Sequence, residues 1–187
     1  MKELMLLLGV AAVLTGTAVG DADRSAGSTR TAQPSITAVA NLIDANGRGI
    51  GRVRLRQAAR GLLVEVNLEG AVPGVHGVHV HDVGRCERPT FASAGGHFNP
   101  TGRQHGFLNP RGHHSGDLPN IEVPAGGRLT AEYFVADLTL EAGARSLLDD
   151  DGAAIVLHAG RDDYATDPAG ESGDRLACGQ IVGAETR

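Results

Sequence analysis

Residues 62–81 read LLVEVNLEGAVPGVHGVHVH, and this stretch decides the fold. Leu62, Val64, Val66 and Leu68 alternate with Leu63, Glu65, Asn67 and Glu69. A period of two buries one set and wets the other, as in a strand of an antiparallel sheet. Gly70 and Pro73 break the run, and residues 75–81 form a further strand that carries His79 and His81. Residues two apart on a strand share a face, so these imidazoles project together from a stiff platform.

The same pattern extends in both directions. Ser35–Ile43 is a candidate first strand, and Asp44-Ala45-Asn46-Gly47 supplies turn chemistry. In Gly51–Gln57, Val53 and Leu55 alternate with Arg52, Arg54 and Arg56. These arginines are either an anion patch or the solvated face of a sheet, and ordinary alternation favours the solvated face. Strand-like runs return at Arg128–Leu140, Ala153–His158 and Ala177–Val182, while Ala142–Leu148 has room for one helical turn. Asp82–Pro119 and Ala159–Asp174 lack periodicity and are rich in glycine. Loops of that length are functional or disordered. Roughly eight short strands with two long functional loops predict an all-β fold, an eight-stranded antiparallel Greek-key barrel or sandwich.

Composition agrees. The chain of 187 residues suits one domain with some terminal extra, and 27 glycines with only 3% aromatics suit a turn-rich β protein. A formal charge of −5 argues against nucleic acid as a partner, since phosphate neutralisation needs a basic face. It also means that an anionic substrate needs local positive guidance. Lys2 precedes an apolar stretch from Leu4 to about Val19, with small residues at Gly16, Ala18 and Gly20. We read 1–20 as a signal peptide, 21–33 as a flexible linker and 34–187 as the functional domain. The apolar run is shorter than the roughly 20 residues a spanning helix needs, so no stable membrane span is expected, a retained anchor being the alternative. The protein is then periplasmic, cell-surface or secreted. Cys86 and Cys178 are the two cysteines, and export favours one disulfide over two buried thiols.

Six of the eight histidines are His79, His81, His97, His105, His114 and His158. A lone His-x-His pair is weak evidence, but His97, His105, His114 and Asp117 follow in one glycine-rich loop. Three imidazoles and a carboxylate suit a closed zinc site, and three or four imidazoles without thiolate suit Cu(II). His76 lies an odd number of residues from His79 and is read as a structural, hydrogen-bonded histidine; His113, beside His114, is expected to face solvent. A purely structural β domain would leave this clustering unexplained.

From about Ser35 onward the chain resembles the copper/zinc superoxide dismutases. The resemblance rests on Gly77-Val78-His79-Val80-His81, on Ser93-Ala94-Gly95-Gly96-His97-Phe98-Asn99-Pro100 and on His105-Gly106. It continues through His114-Ser115-Gly116-Asp117-Leu118, Val156-Leu157-His158 and Gly173-Asp174-Arg175-Leu176-Ala177-Cys178-Gly179. It implies copper held by His79, His81, His97 and His158, and zinc held by His97, His105, His114 and Asp117, with His97 bridging the two. It implies that Arg175 attracts the superoxide anion, that Asp162 hydrogen-bonds His79 and His105, and that Cys86 pairs with Cys178. The implied activity is conversion of superoxide to dioxygen and hydrogen peroxide; a non-enzymatic copper-binding or copper-delivery protein on the same scaffold is the alternative. The acidic loop Arg161–Glu171 and the insertion Glu87–Ala92 look like exported bacterial members. Steering of the anion then falls to Arg175, helped by Arg85, Arg88, Arg103 or Arg111, unless those four merely solvate the loops. A monomer and a homodimer both remain open.

Overall fold

The structure is a computed structural model and describes residues 36–184. The expected signal peptide and linker lie outside these residues. The strands are β1 (Thr37–Asp44), β2 (Gly49–Gln57), β3 (Leu62–Glu69), β4 (Gly74–His76), β5 (Val78–His81), β6 (Ile121–Val123), β7 (Arg128–Val135), β8 (Ala154–His158) and β9 (Arg175–Ala184). Every strand pairing is antiparallel. Seven strands form a sheet in the order β5-β8-β9-β1-β2-β3-β7, and β4 pairs with β6. The small sheet links the two edges of the large one, because β4 runs into β5 through Gly77 and β6 runs into β7 through a turn closed by Gly127 N–H donating to the Pro124 carbonyl at 2.8 Å. A curled, nearly closed all-β barrel results, and its chain path leaves β3 and returns to it as β7.

The alternation read from sequence becomes the core. Leu62, Val64, Val66 and Leu68 of β3 meet Ala38, Ala40 and Leu42 of β1 and Val53 and Leu55 of β2. Arg52, Arg54 and Arg56 are exposed. Arg54 pairs with Glu65 at 3.4 Å and Arg52 donates to Asn41 at 2.9 Å, which supports the solvated-face reading.

Three details differ from the sequence reading. The strand expected over 75–81 is broken at Gly77 into β4 and β5. Strand β6 was not anticipated, since three residues between Asn120 and Pro124 are too few to show a period. Ala142–Leu148 forms no helical turn. Thr139 and Ser146 bridge instead, and Leu140 and Leu147 turn into the core. Gly143, with φ +144, and the shortness of the segment both oppose helix nucleation.

Strand β8 is buried throughout. Its Ile155 and Leu157 enter the main core, while Ala154 and Val156 meet Phe91, Ala94 and Cys178 in a second, smaller one. The loop after β5 thus caps the outer face of β8. A disulfide between Cys86 and Cys178, with Cα atoms 5.6 Å apart, fastens it there.

Candidate metal centre

Val78 and Val80 of β5 point into the barrel, and His79 and His81 point the other way under the long loop. That loop lies along the free edge of β5. Val80 N–H donates to Gly116 O at 2.9 Å, and Phe98 N–H donates to Val80 O at 2.8 Å. The approach is close enough to require glycine at 116, where a Cβ would meet the Val80 carbonyl at 2.4 Å. His81 thereby sits opposite His97 and His79 opposite Asp117. His158 arrives from the end of β8, where its N–H donates to Gly77 O at 2.9 Å.

One donor atom from each of His79, His81, His97 and His158 lies within 4.8 Å of the others. The remaining nitrogens reveal the tautomers. His81 Nδ1 donates to Gly95 O at 3.0 Å and His158 Nδ1 to Gly173 O at 3.1 Å. His79 Nε2 donates to Asp162 Oδ2, and His97 Nδ1 faces Asp117 Oδ1, both at 2.9 Å. The other four nitrogens then present lone pairs. His81 Nε2 and His158 Nε2 face each other at 3.4 Å with no proton to share, and His79 Nδ1 and His97 Nε2 are buried without a partner. Buried acceptors left without donors are costly. Four of them converging is an arrangement that a cation relieves, so these residues fit a bound metal ion.

A second cluster gathers around Asp117. Its Oδ1 lies 2.9 Å from His97 Nδ1, 3.0 Å from His105 Nδ1 and 3.3 Å from His114 Nδ1. Its Oδ2 is held by the N–H groups of Gly106 and His114 at 2.9 and 3.0 Å. His79, His97, His105 and Asp117 form one compact donor group, and His114 Nδ1 approaches His97 Nδ1 at 3.4 Å. The ring of His97 therefore turns one nitrogen to each cluster. Asp162 ties the clusters again, with Oδ2 on His79 Nε2 and Oδ1 on His105 Nε2, each at 2.9 Å.

Burial keeps rings of the first cluster neutral. It pushes His81 down to about 2, His158 to about 3 and His97 to about 4, with neighbouring imidazoles adding to the effect. Burial also lowers His105, but hydrogen bonds to Asp117 and Asp162 outweigh it and raise the ring to about 9. The same histidines overcome the burial of both carboxylates and hold them well below the usual range.

Arg175 is half-buried and donates from Nη1 to Phe91 O and from Nη2 to Gly95 O, both at 2.6 Å. Gly95 O also accepts from His81, so the guanidinium and this ring share one carbonyl. Sequence reasoning missed these carbonyl anchors, because main-chain acceptors carry no residue signature. It also missed Asn120 and Tyr164, which grip Asp162. His76 is buried and bonds to Val72 O and His158 O, as a structural histidine should. His113 is less exposed than expected; its ring packs on Phe107 with centroids 4.6 Å apart. Arg85, Arg88, Arg103 and Arg111 are all exposed, and the Arg88 guanidinium lies against the turn at Gly47.

A family model described as copper/zinc superoxide dismutase matches residues 50–181. The chain is 43% identical over 148 residues to "Superoxide dismutase [Cu-Zn] 2" of Aquifex aeolicus, covering 78% of this chain and 86% of that protein. It is 36% identical over 155 residues to the mouse "Copper chaperone for superoxide dismutase", covering 79% of this chain and 54% of that one. The crystal structure of a SOD-like protein from Bacillus subtilis superimposes with a TM-score of 0.75 at 38% identity, over 77% of this chain and 97% of that chain. This chain belongs to the copper/zinc superoxide dismutase family.

Proposed function

We propose that this chain is a superoxide dismutase that holds copper between His79, His81, His97 and His158 and zinc between His97, His105, His114 and Asp117. The observation that carries the reading is the His97 ring, whose Nε2 is buried without a partner while its Nδ1 meets the Asp117 carboxylate. Copper held there would supply one-electron redox chemistry, by which one superoxide would be oxidised to dioxygen and a second, taking up two protons, reduced to hydrogen peroxide. Zinc has no redox chemistry of its own, and its proposed part is to order the loop and acidify the shared imidazole.

The residues divide the remaining work. Arg175 is anchored by two carbonyls and half-buried, so it offers its cation and spare N–H groups to a small anion without having to be ordered first. His97 Nε2, buried without a partner, would hold a proton for the departing peroxide. Asp162 fixes the orientation of His79 and His105 from outside the ligand shell, a role whose loss typically costs 10–100-fold in affinity or activity. The disulfide supports an oxidising compartment, in keeping with residues 1–20 as an export signal.

Copper delivery is the second reading, favoured by the similarity to the mouse copper chaperone. One experiment separates the two. Copper and zinc are counted in the purified mature domain, and superoxide loss is assayed before and after copper removal. The proposal expects one of each metal and copper-dependent turnover. Tight metal binding without turnover refutes the enzyme and supports delivery.

A further inference from the structure

We infer that Tyr164 is a positioning residue: it latches the Asp162 carboxylate that joins the two histidine clusters, and so sets how tightly the zinc-side cluster holds its ion. The inference rests on the two-metal reading above and adds to it a residue outside both ligand sets.

Tyr164 touches four parts of the site. Its N–H donates to Asp162 Oδ1 at 2.7 Å, beside the His105 contact on the same oxygen. Its hydroxyl accepts the Asn120 N–H at 2.6 Å. Its carbonyl accepts the Leu108 N–H at 2.8 Å, three residues beyond His105, and its ring packs on Phe107 with centroids 5.5 Å apart. Asn120 completes the circuit by gripping the main chain of Asp162 on both sides. Its Nδ2 donates to Asp162 O, and its Oδ1 accepts the Asp162 N–H, each at 2.8 Å. Asp162, Tyr164 and Asn120 therefore form a closed ring of hydrogen bonds between segments more than 40 residues apart in sequence.

The backbone conformation points to function as well. Tyr164 has φ +63, a left-handed conformation in which glycine or asparagine is at ease and a bulky side chain is not. Such conformations persist where surrounding contacts over-determine them. Here the payload is the hydroxyl. It reaches the residue that clamps Asp162, while the Tyr164 amide holds the carboxylate itself. If Asp162 swings, His79 Nε2 and His105 Nε2 lose their acceptor together.

Tyr164→Phe in the full chain tests this, because the ring and backbone contacts stay and only the acceptor of the Asn120 N–H is lost. Two quantities are read: zinc affinity by chelator competition, and NMR exchange of the His79 and His105 Nε2 ring protons in metal-free protein. We expect zinc binding to weaken about fivefold, the worth of one neutral hydrogen bond, and the ring protons to exchange faster by a similar factor. Phe107→Leu is the control: it loosens the same packing but leaves the circuit, and should move neither readout. Wild-type values for Tyr164→Phe in both readouts overturn the latch, as do equal shifts in Phe107→Leu. If the unaltered protein takes up no zinc, the functional reading falls instead, and ring-proton exchange alone decides the latch.

Discussion

Gly170→Ala should damage the site although residue 170 is no ligand. Gly170 is buried with φ +63, and a Cβ there would meet Asp162 Oδ1 at 1.8 Å and His105 Nε2 at 2.6 Å. The left-handed conformation costs an alanine about 1–2 kcal/mol. Forcing a methyl into filled space adds about 1–3 kcal/mol. Together they predict a loss of about 2–5 kcal/mol, or about 4–20 °C in thermal midpoint at 2–4 °C per kcal/mol for a chain of this size. The clash falls on the oxygen shared by His105 and Tyr164, so zinc affinity should drop 10–100-fold, the usual cost of displacing an outer-shell carboxylate. Scanning calorimetry of the metal-free protein and chelator competition for zinc read the two effects separately. Gly49→Ala is the comparison, since a Cβ there meets nothing within 4 Å; it should stay within about 0.5 kcal/mol. Zinc affinity within twofold of wild type in Gly170→Ala would refute the reasoning.

Three further outcomes are expected. His158→Ala should abolish superoxide turnover while sparing zinc, because its ring belongs to the first donor group and not to the one around Asp117; equal loss of both metals would contradict the proposed division of the site. Replacing both Cys86 and Cys178 by serine opens a loop of 92 residues' separation and should cost about 4–5 kcal/mol in the chain-entropy model, seen as a fall of about 8–20 °C in thermal midpoint. Reversing the charges of Arg85, Arg88, Arg103 and Arg111 together should lower the rate with superoxide and flatten its salt dependence; an unchanged rate and salt slope would leave Arg175 as the sole guide.

The barrel was legible where alternation ran for several residues. Leu62–Glu69 coincides with β3 from end to end, because one buried and one wetted face write a period into the chain. Strand β6 and the break at Gly77 left no such mark. Three residues carry no period, and the break only interrupts a run whose side chains remain apolar or imidazole on both sides. The side chains that gather at the metal centre were legible through residue type and spacing. Hidden from the sequence were the groups that aim them. Gly95 O, Gly173 O and Phe91 O are peptide oxygens that any residue supplies, and Tyr164 reaches Asp162 through its own peptide N–H, which carries no residue signature either. Ala142–Leu148 differs from the helical turn it has room for because short loop segments are shaped by what they fill, here Leu147 entering the core, not by local preference.

The oxygen of Gly95, taken by both His81 and Arg175, has a consequence for redesign. On the proposed reading, a ligand of the redox metal and the cation that would greet the anion hang from the same peg. Neither can be retuned alone by reshaping residues 87–95, since any tilt of that peptide rotates an imidazole and shifts a guanidinium in one movement. Grafting a longer or shorter loop between the disulfide and His97 should succeed only when it returns this one oxygen to its place.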